Sequence, residues 1–323
     1  MPVKLQSPAL GGHAASPPRL QWLRRILCVL LMLAGAAYIA TSLDGNWQQL
    51  QASAFSLSLP GAAVLIGGVV GTLLLSAAYH VLILRDFQAH RVPPARVAHA
   101  YALGQIVRYV PGKVVGVLFQ AGFLGAGVRP SILVAALLVQ TVHDYAWTFA
   151  FCGPILWALL AGSPWPLLAL PPAVLAMYAA HRSRLSQRLL ARLPLGGHFL
   201  ASSSHGNHRP KAQTLVQAMV WVPMLGGMWF AFAPLFGTHG SLLAGLLYLV
   251  AAVVSLAMVV VPSGLVVREA VFLWLGGLAM LPAEQLLFAA LATRIGMTVA
   301  EILTAALLAL LDLAERRTLD ARP

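Results

Sequence analysis

Arg108-Tyr109-Val110-Pro111-Gly112-Lys113 sets a helix breaker between two cations inside a long apolar run. Proline removes a backbone donor and clashes with the preceding turn, and glycine adds backbone freedom, so no regular helix continues through the pair. At membrane depth an open turn and fixed charges are costly unless they line a protein-enclosed or watery cavity. The apolar sequence on both sides makes that depth the relevant one. A second breaker, Val261-Pro262-Ser263-Gly264, is followed by Arg268-Glu269 about 150 residues later. The two breaks together predict one site for an anionic lipid head group.

Composition fixes the class. The chain has 323 residues, 59% hydrophobic and 9% charged, with a mean hydropathy of +0.81. Soluble domains carry about 25% charged residues, so this is an all-α, polytopic membrane bundle of about eight helices with broken or re-entrant segments. No stretch alternates in the manner of a membrane β-barrel. The net charge of +12 gathers in the N-terminal tail, at 85–96, in 181–211 and at Arg316-Arg317. Such clusters mark the inner face and contact with anionic lipid. Nucleic acid is excluded as a partner, because no extramembrane stretch is long enough for a basic reading domain. Cys28 and Cys152 lie in apolar runs without metal-ligand spacing and read as core residues.

Taken in order, residues 1–20 form a flexible cytoplasmic tail, 21–312 one transmembrane domain and 313–323 a cytoplasmic C-terminal tail. Arg19, Arg24 and Arg25 precede the apolar run Ile26 to Ala40, a first helix that also resembles a signal peptide. The loop Leu43 to Ser56 lacks Lys and Arg and belongs outside. Leu57 to Leu84 is a long span whose Gly67, Gly68 and Gly71 suit close helix packing or dimerisation, or mere glycine tolerance.

Val97 to Val110 is about 14 residues, roughly 20 Å as a helix, too short for a hydrocarbon core of about 30 Å. Val114 to Val128 is similarly short. A long span follows from Val128 to about Leu160, then a turn at Gly162 to Pro166 and a short span around Leu167 to Tyr178. The positive loops at 85–96 and 181–211 should lie on the same side. An even number of crossings must separate them, which makes 97–128 a re-entrant hairpin rather than a crossing.

The basic loop 181–213 starts as a weakly amphipathic helix on the inner leaflet, and its His198, His205 and His208 read as linker rather than metal ligands. Thr214 to Phe236 is a span, Gly237 to Ser241 an outer turn, and Leu242 to Val261 returns inward. After Pro262 come a segment from Val266 to Met280, a turn at Leu281-Pro282 and a final helix from about Glu284 to Leu311.

An offset of about 151 residues lays Pro111 on Pro262 and His143 on Arg294. Each half then contains a breaker with nearby charge, a short apolar segment, a turn with proline and a long helix carrying a polar residue. Transporters built from inverted repeats show matched breakers of this kind.

The candidate binding residues are Arg108, Tyr109, Pro111, Gly112, Lys113, Asp144, Pro262, Gly264, Arg268, Glu269, Arg294 and Glu301, with His143 beside Asp144. Arginine and lysine suit phosphate, and helix starts after a break add backbone donors. Adjacent Arg268 and Glu269 should point in different directions, whereas Arg294 and Glu301, seven apart, share a face. Structural ion pairing is the competing reading. No catalytic motif, cofactor motif or metal-ligand set is present, so the expectation is a protein without enzymatic activity.

The runs GQIVRYVPGKVVGVLFQAGFLGAGV, LLVQTVHDYAW, VPSGLVVREAVFLWLGG and LATRIGMTVAEIL resemble the transmembrane-region family of lysylphosphatidylglycerol synthases and flippases, over roughly residues 20–312. The match rests on Pro111-Gly112, Asp144, Arg268-Glu269 and Arg294. Ser263 and Val266 replace glycines of that pattern, and His143 precedes the acid. The soluble aminoacyl-transferring domain is absent. The resemblance implies the membrane half alone, a lipid flippase or lipid-binding transporter of the bacterial cytoplasmic membrane with both termini cytoplasmic. The rival implication is a non-catalytic partner of a membrane glycosyltransferase or lipid-modifying enzyme.

Overall fold

The computed structural model describes Thr41, residues 57–87, 92–107, 115–185, 188, 209–257 and 266–320. The described secondary structure is helical throughout: α1 (Leu59–Asp86), α2 (Pro94–Val107), α3 (Val115–Leu124), α4 (Pro130–Ala161), α5 (Leu170–Ser183), α6 (Pro210–Met219), α7 (Val222–Ala257), α8 (Val267–Leu278) and α9 (Ala283–Asp320). Short 3-10 turns precede α4 and α5. Among the described residues, four helical runs are long and apolar enough to cross a membrane: 59–86, 130–161, 210–255 and 283–318. Outward apolar side chains such as Trp157, Leu160, Leu291, Ile295 and Leu310 are exposed, as lipid-facing surfaces require. This is a helical membrane protein.

Local sequence sets the ends. Ser58 caps α1 by accepting from Gly61 N at 3.2 Å, and Pro130 opens α4, where its missing N–H costs nothing. Gly162, at φ 63°, closes α4 in the left-handed conformation. Pro223 interrupts the helix between α6 and α7, and the Met224 N–H donates to Thr72 Oγ1 of α1 at 3.2 Å. Gly237 has φ 69° and ψ 174°, a non-helical geometry inside α7. The chain doubles back there, since Gly245 of the second arm faces Leu225 and Met228 of the first. The 210–255 run is therefore two antiparallel legs, with the turn at the place in the chain that the sequence indicated.

The short segments form the expected pair. Arg96 on α2 donates to Phe123 O at the end of α3 (3.1 Å), the His99 and Phe123 rings meet at 4.9 Å, and Gly104 faces Gln120 and Gly116. Contact positions that rise on one helix and fall on the other define an antiparallel hairpin. With 14 and 10 residues, neither helix reaches across a core of about 30 Å. Glu315 of α9 caps α2 by accepting from Ala95 N at 3.0 Å, and Asp312 takes His99 at 3.3 Å and Arg316 at 2.6 Å.

Shifted by 151, α1 falls on 210–237, α2 on 245–258, α3 on 266–275 and α4 on 281–312, so these four overlap α6 with the first α7 arm, the second α7 arm, α8 and α9, although their ends differ by up to eight residues. The packing repeats as well. The α2–α3 contact corresponds to that of the second α7 arm with α8, where Tyr248 meets Phe272 and Arg268. The counterparts α1 and α6–α7 pack directly against each other and run antiparallel. Asp86 meets Gln213 at one end, and Gly61 meets Ala231 at the other. Corresponding helices that cross antiparallel are related by a two-fold axis perpendicular to both, the arrangement of an inverted repeat.

Gly68 and Gly227 sit at that crossing. A Cβ on Gly68 would strike the Pro223 carbonyl and stand 3.1 Å from Gly227 Cα. Gly68 and Gly71 therefore serve packing within the chain, whereas Gly67 meets open space.

Candidate functional site

The second half holds a buried ion cluster. Val266, a β-branched residue at φ 69°, precedes α8, a conformation that costs a non-glycine residue about 1 kcal/mol or more. It puts Arg268 and Glu269 in the first turn, 6% and 8% exposed. Arg268 donates to Glu269 Oε1 from Nη2 at 3.1 Å and from Nε at 3.4 Å. The expected divergence of these neighbours does not occur, because the long Arg268 side chain folds back along the turn. Arg294 of α9 reaches the same oxygen at 3.8 Å. Arg268 also lies over the Tyr248 ring at 4.9 Å and touches Met297 Sδ at 3.6 Å.

Two guanidiniums thus share one carboxylate at the positive end of a helix. Glu269 Oε2 is buried and makes no hydrogen bond among the described residues. Two cations approach one carboxylate oxygen, in a setting where an uncompensated charge costs about 2.5–3.5 kcal/mol or more. Cations are also disfavoured at a helix start, whereas an anion is stabilised there by both the dipole and the free N–H groups.

Glu301 lies two turns further along α9. It is 2% exposed and lines a crevice with Leu73, Tyr101, Ala102, Gln105 and Thr304.

Asp144 belongs to a different network, in the first half. Its Oδ1 accepts from Gln217 Nε2 at 2.8 Å, and Asp86 Oδ2 accepts from Gln213 Nε2 at 2.7 Å. Between these carboxylates, Tyr79 Oη bonds His143 Nδ1 at 2.5 Å and His181 Nε2 at 3.0 Å, and His181 Nδ1 bonds Thr214 Oγ1 at 2.8 Å. Next to them, His80 Nδ1 bonds Gln140 Oε1 at 2.9 Å, while Gln140 Nε2 donates to the Tyr101 hydroxyl at 3.2 Å and to Ser76 O at 3.3 Å. This network ties α1, α2, α4, α5 and α6 together.

His181 returns to the height of His143, with ring centroids 4.6 Å apart. The 3-10 turn and α5 therefore descend alongside α4, as the short span around Leu167 to Tyr178 was expected to.

Of the predicted residues, Arg268, Glu269 and Arg294 come together, while Asp144 lies in a separate network and Glu301 lines a crevice. Arg108, Tyr109, Pro111, Gly112, Lys113, Pro262 and Gly264 lie outside the described residues. Sequence reasoning passed over Tyr79, His80, Gln140, His181, Gln213, Thr214 and Gln217. The available signal was the group Gln213-Thr214-Gln217, three polar side chains at helical spacing on one buried face. Among the described residues no group of three or more His, Cys, Asp and Glu could hold a metal. No family model, curated protein or solved structure matches the chain.

Proposed function

We propose that this protein is a lipid flippase or lipid-binding transporter that takes a phosphate-bearing head group at the Arg268–Glu269–Arg294 cluster while the acyl tails stay in the bilayer. The observation carrying this reading is two guanidiniums, Arg268 buried and Arg294 half-buried, set against one carboxylate at the start of α8. A phosphate would neutralise that excess and accept bidentate bonds from Arg268 or Arg294. The inverted pairing of the two halves supports transport, since such repeats build midplane sites in transporters. The resemblance to the lysylphosphatidylglycerol synthase and flippase membrane region points the same way, and with it the bacterial cytoplasmic membrane and cytoplasmic termini. Arg108 and Lys113 complete the cationic site in this reading, with Asp144 and Glu301 balancing charge elsewhere in the bundle.

The test is reconstitution into liposomes with fluorescent phosphatidylglycerol, phosphatidylcholine and a polyprenyl phosphate. The protein should move at least one anionic lipid between leaflets, and Arg268→Ala should slow that movement at least tenfold. Movement of none of them, or equal movement by Arg268→Ala, refutes the reading. Co-purification with a membrane glycosyltransferase, without lipid movement, would favour the partner role.

A further inference from the structure

The hydrogen bonds of the first-half network run in series, and we infer that His143, Tyr79, His181 and Thr214 form a proton relay between the bundle interior and the α5–α6 end. This goes beyond the lipid reading and does not rest on it.

The connections are continuous. His143 Nδ1, Tyr79 Oη and His181 Nε2 are joined at 2.5 and 3.0 Å, His181 Nδ1 meets Thr214 Oγ1 at 2.8 Å, and that oxygen lies 2.9 Å from Pro210 O. Exposure is 7% at His143, 0% at Tyr79, 2% at His181 and 7% at Thr214, so the middle of the path is sealed from bulk water and the residual exposure lies at its two ends.

Tyr79 has one hydroxyl hydrogen and two imidazole neighbours. It must donate to one and accept from the other. Thr214 likewise has one hydrogen and two acceptors within reach. Two arrangements satisfy all three contacts among His143, Tyr79, His181 and Thr214. In the first, His143 Nδ1–H donates to Tyr79, Tyr79 donates to His181 Nε2, His181 Nδ1–H donates to Thr214, and Thr214 donates to Pro210 O. In the second, the first three of these bonds are reversed, and Thr214, now donating to His181 Nδ1, no longer donates to Pro210 O. The two differ by one hydrogen moved along each bond.

The entry point is visible. His143 Nε2 is buried and has no hydrogen-bond partner among the described residues. In the first arrangement it is a bare acceptor. A proton taken there releases the hydrogen on Nδ1 to Tyr79 Oη. The Tyr79 hydrogen moves to His181 Nε2, and the hydrogen on His181 Nδ1 passes to Thr214 Oγ1. Thr214 gives up its own hydrogen to water at the first turn of α6, beside exposed Arg209. One proton enters and one leaves. Both rings end neutral in the opposite tautomer, so no charge stays in the apolar interior, where it would be costly.

The charged groups around the relay are Asp144 on α4 and Asp86 on α1, both of which act on Tyr79. Each is held by a glutamine of α6. Arg182 on α5 and Lys211 on α6 are exposed at the surface.

The experiment uses the full chain in liposomes of phosphatidylcholine and phosphatidylglycerol, loaded with a pH-sensitive dye and voltage-clamped with potassium and valinomycin. A pH step is applied with no other substrate. Wild type should equilibrate at least tenfold faster than Tyr79→Phe, which keeps the ring and removes the bridging hydroxyl. Thr214→Val should be slowed similarly and supplies the same comparison if Tyr79→Phe does not fold. His80→Gln, which perturbs the adjacent network, should stay within twofold of wild type. Equal rates in wild type and the relay variants overturn the relay. An equal loss in His80→Gln also overturns it, by making the loss one of packing.

Discussion

His143 and Arg294 occupy corresponding places on α4 and α9, 151 residues apart, yet their surroundings differ in kind. Around His143 the central groups are hydroxyls and imidazoles that satisfy one another by sharing hydrogens. Around Arg294 they are full charges, two cations against one acid. The same scaffold position thus hosts a network built on shared hydrogens and one built on ion pairs. Neutral networks tolerate burial once bonded, whereas a buried charge stays costly until a counter-charge arrives. The difference is the ground for proposing binding in the second half and hydrogen exchange in the first.

The largest test of this contrast removes one acid from each half. Glu269→Gln leaves Arg268 and Arg294 without their shared counter-charge and should cost about 3–5 kcal/mol, seen as a lower thermal midpoint of the detergent-solubilised protein. Asp144→Asn retains an acceptor for Gln217 and should cost under about 1 kcal/mol. Equal losses would mean that the first half is as ionic as the second, and the contrast would fail. Next comes the crossing that joins the halves. Gly68→Val drives a side chain into the backbone of Pro223 and Gly227 and should cost about 1–3 kcal/mol. Gly67→Ala, facing open space, should instead stabilise by about 0.4–1 kcal/mol.

Smaller effects follow within the first half. Gln140→Leu removes bonds to His80, Tyr101 and Ser76. At about 0.6 kcal/mol for a bond in a membrane bundle, the thermal midpoint should fall modestly, by far less than in Glu269→Gln. Glu315→Ala frees the N-terminal amide of α2 and should cost about 0.3–1 kcal/mol. Its effect should show as faster hydrogen exchange confined to the α2–α3 hairpin.

The architecture was legible because it depends on length and loop charge. The short segments flanking residues 108–113, the turn at Gly237 and the 151-residue echo are visible in one dimension, and the described helices fall where these predict. The site was legible only in part. Asp144 was grouped with the arginines because both are charged residues in apolar runs, but its partner is Gln217, which lies on another helix. Tyr79, Gln140, His181 and Thr214 stand on four separate helices, and their partners follow from how those helices cross, which no residue spacing encodes. The Arg268–Glu269 contact was missed for a local reason, since spacing fixes where Cβ atoms point but not where a long, flexible side chain ends.

The length of α9 has a consequence for depth. At 38 residues it is about 57 Å long, well over the roughly 30 Å hydrocarbon slab. Its last turns, with Asp312, Glu315 and Arg316, therefore emerge into the head-group layer. Because Glu315 holds the first turn of α2, α9 fixes where α2 enters. From that level the 14 residues of α2 descend about 21 Å, roughly two-thirds of the slab. The last helix thus acts as a depth gauge that sets the level at which α2 begins.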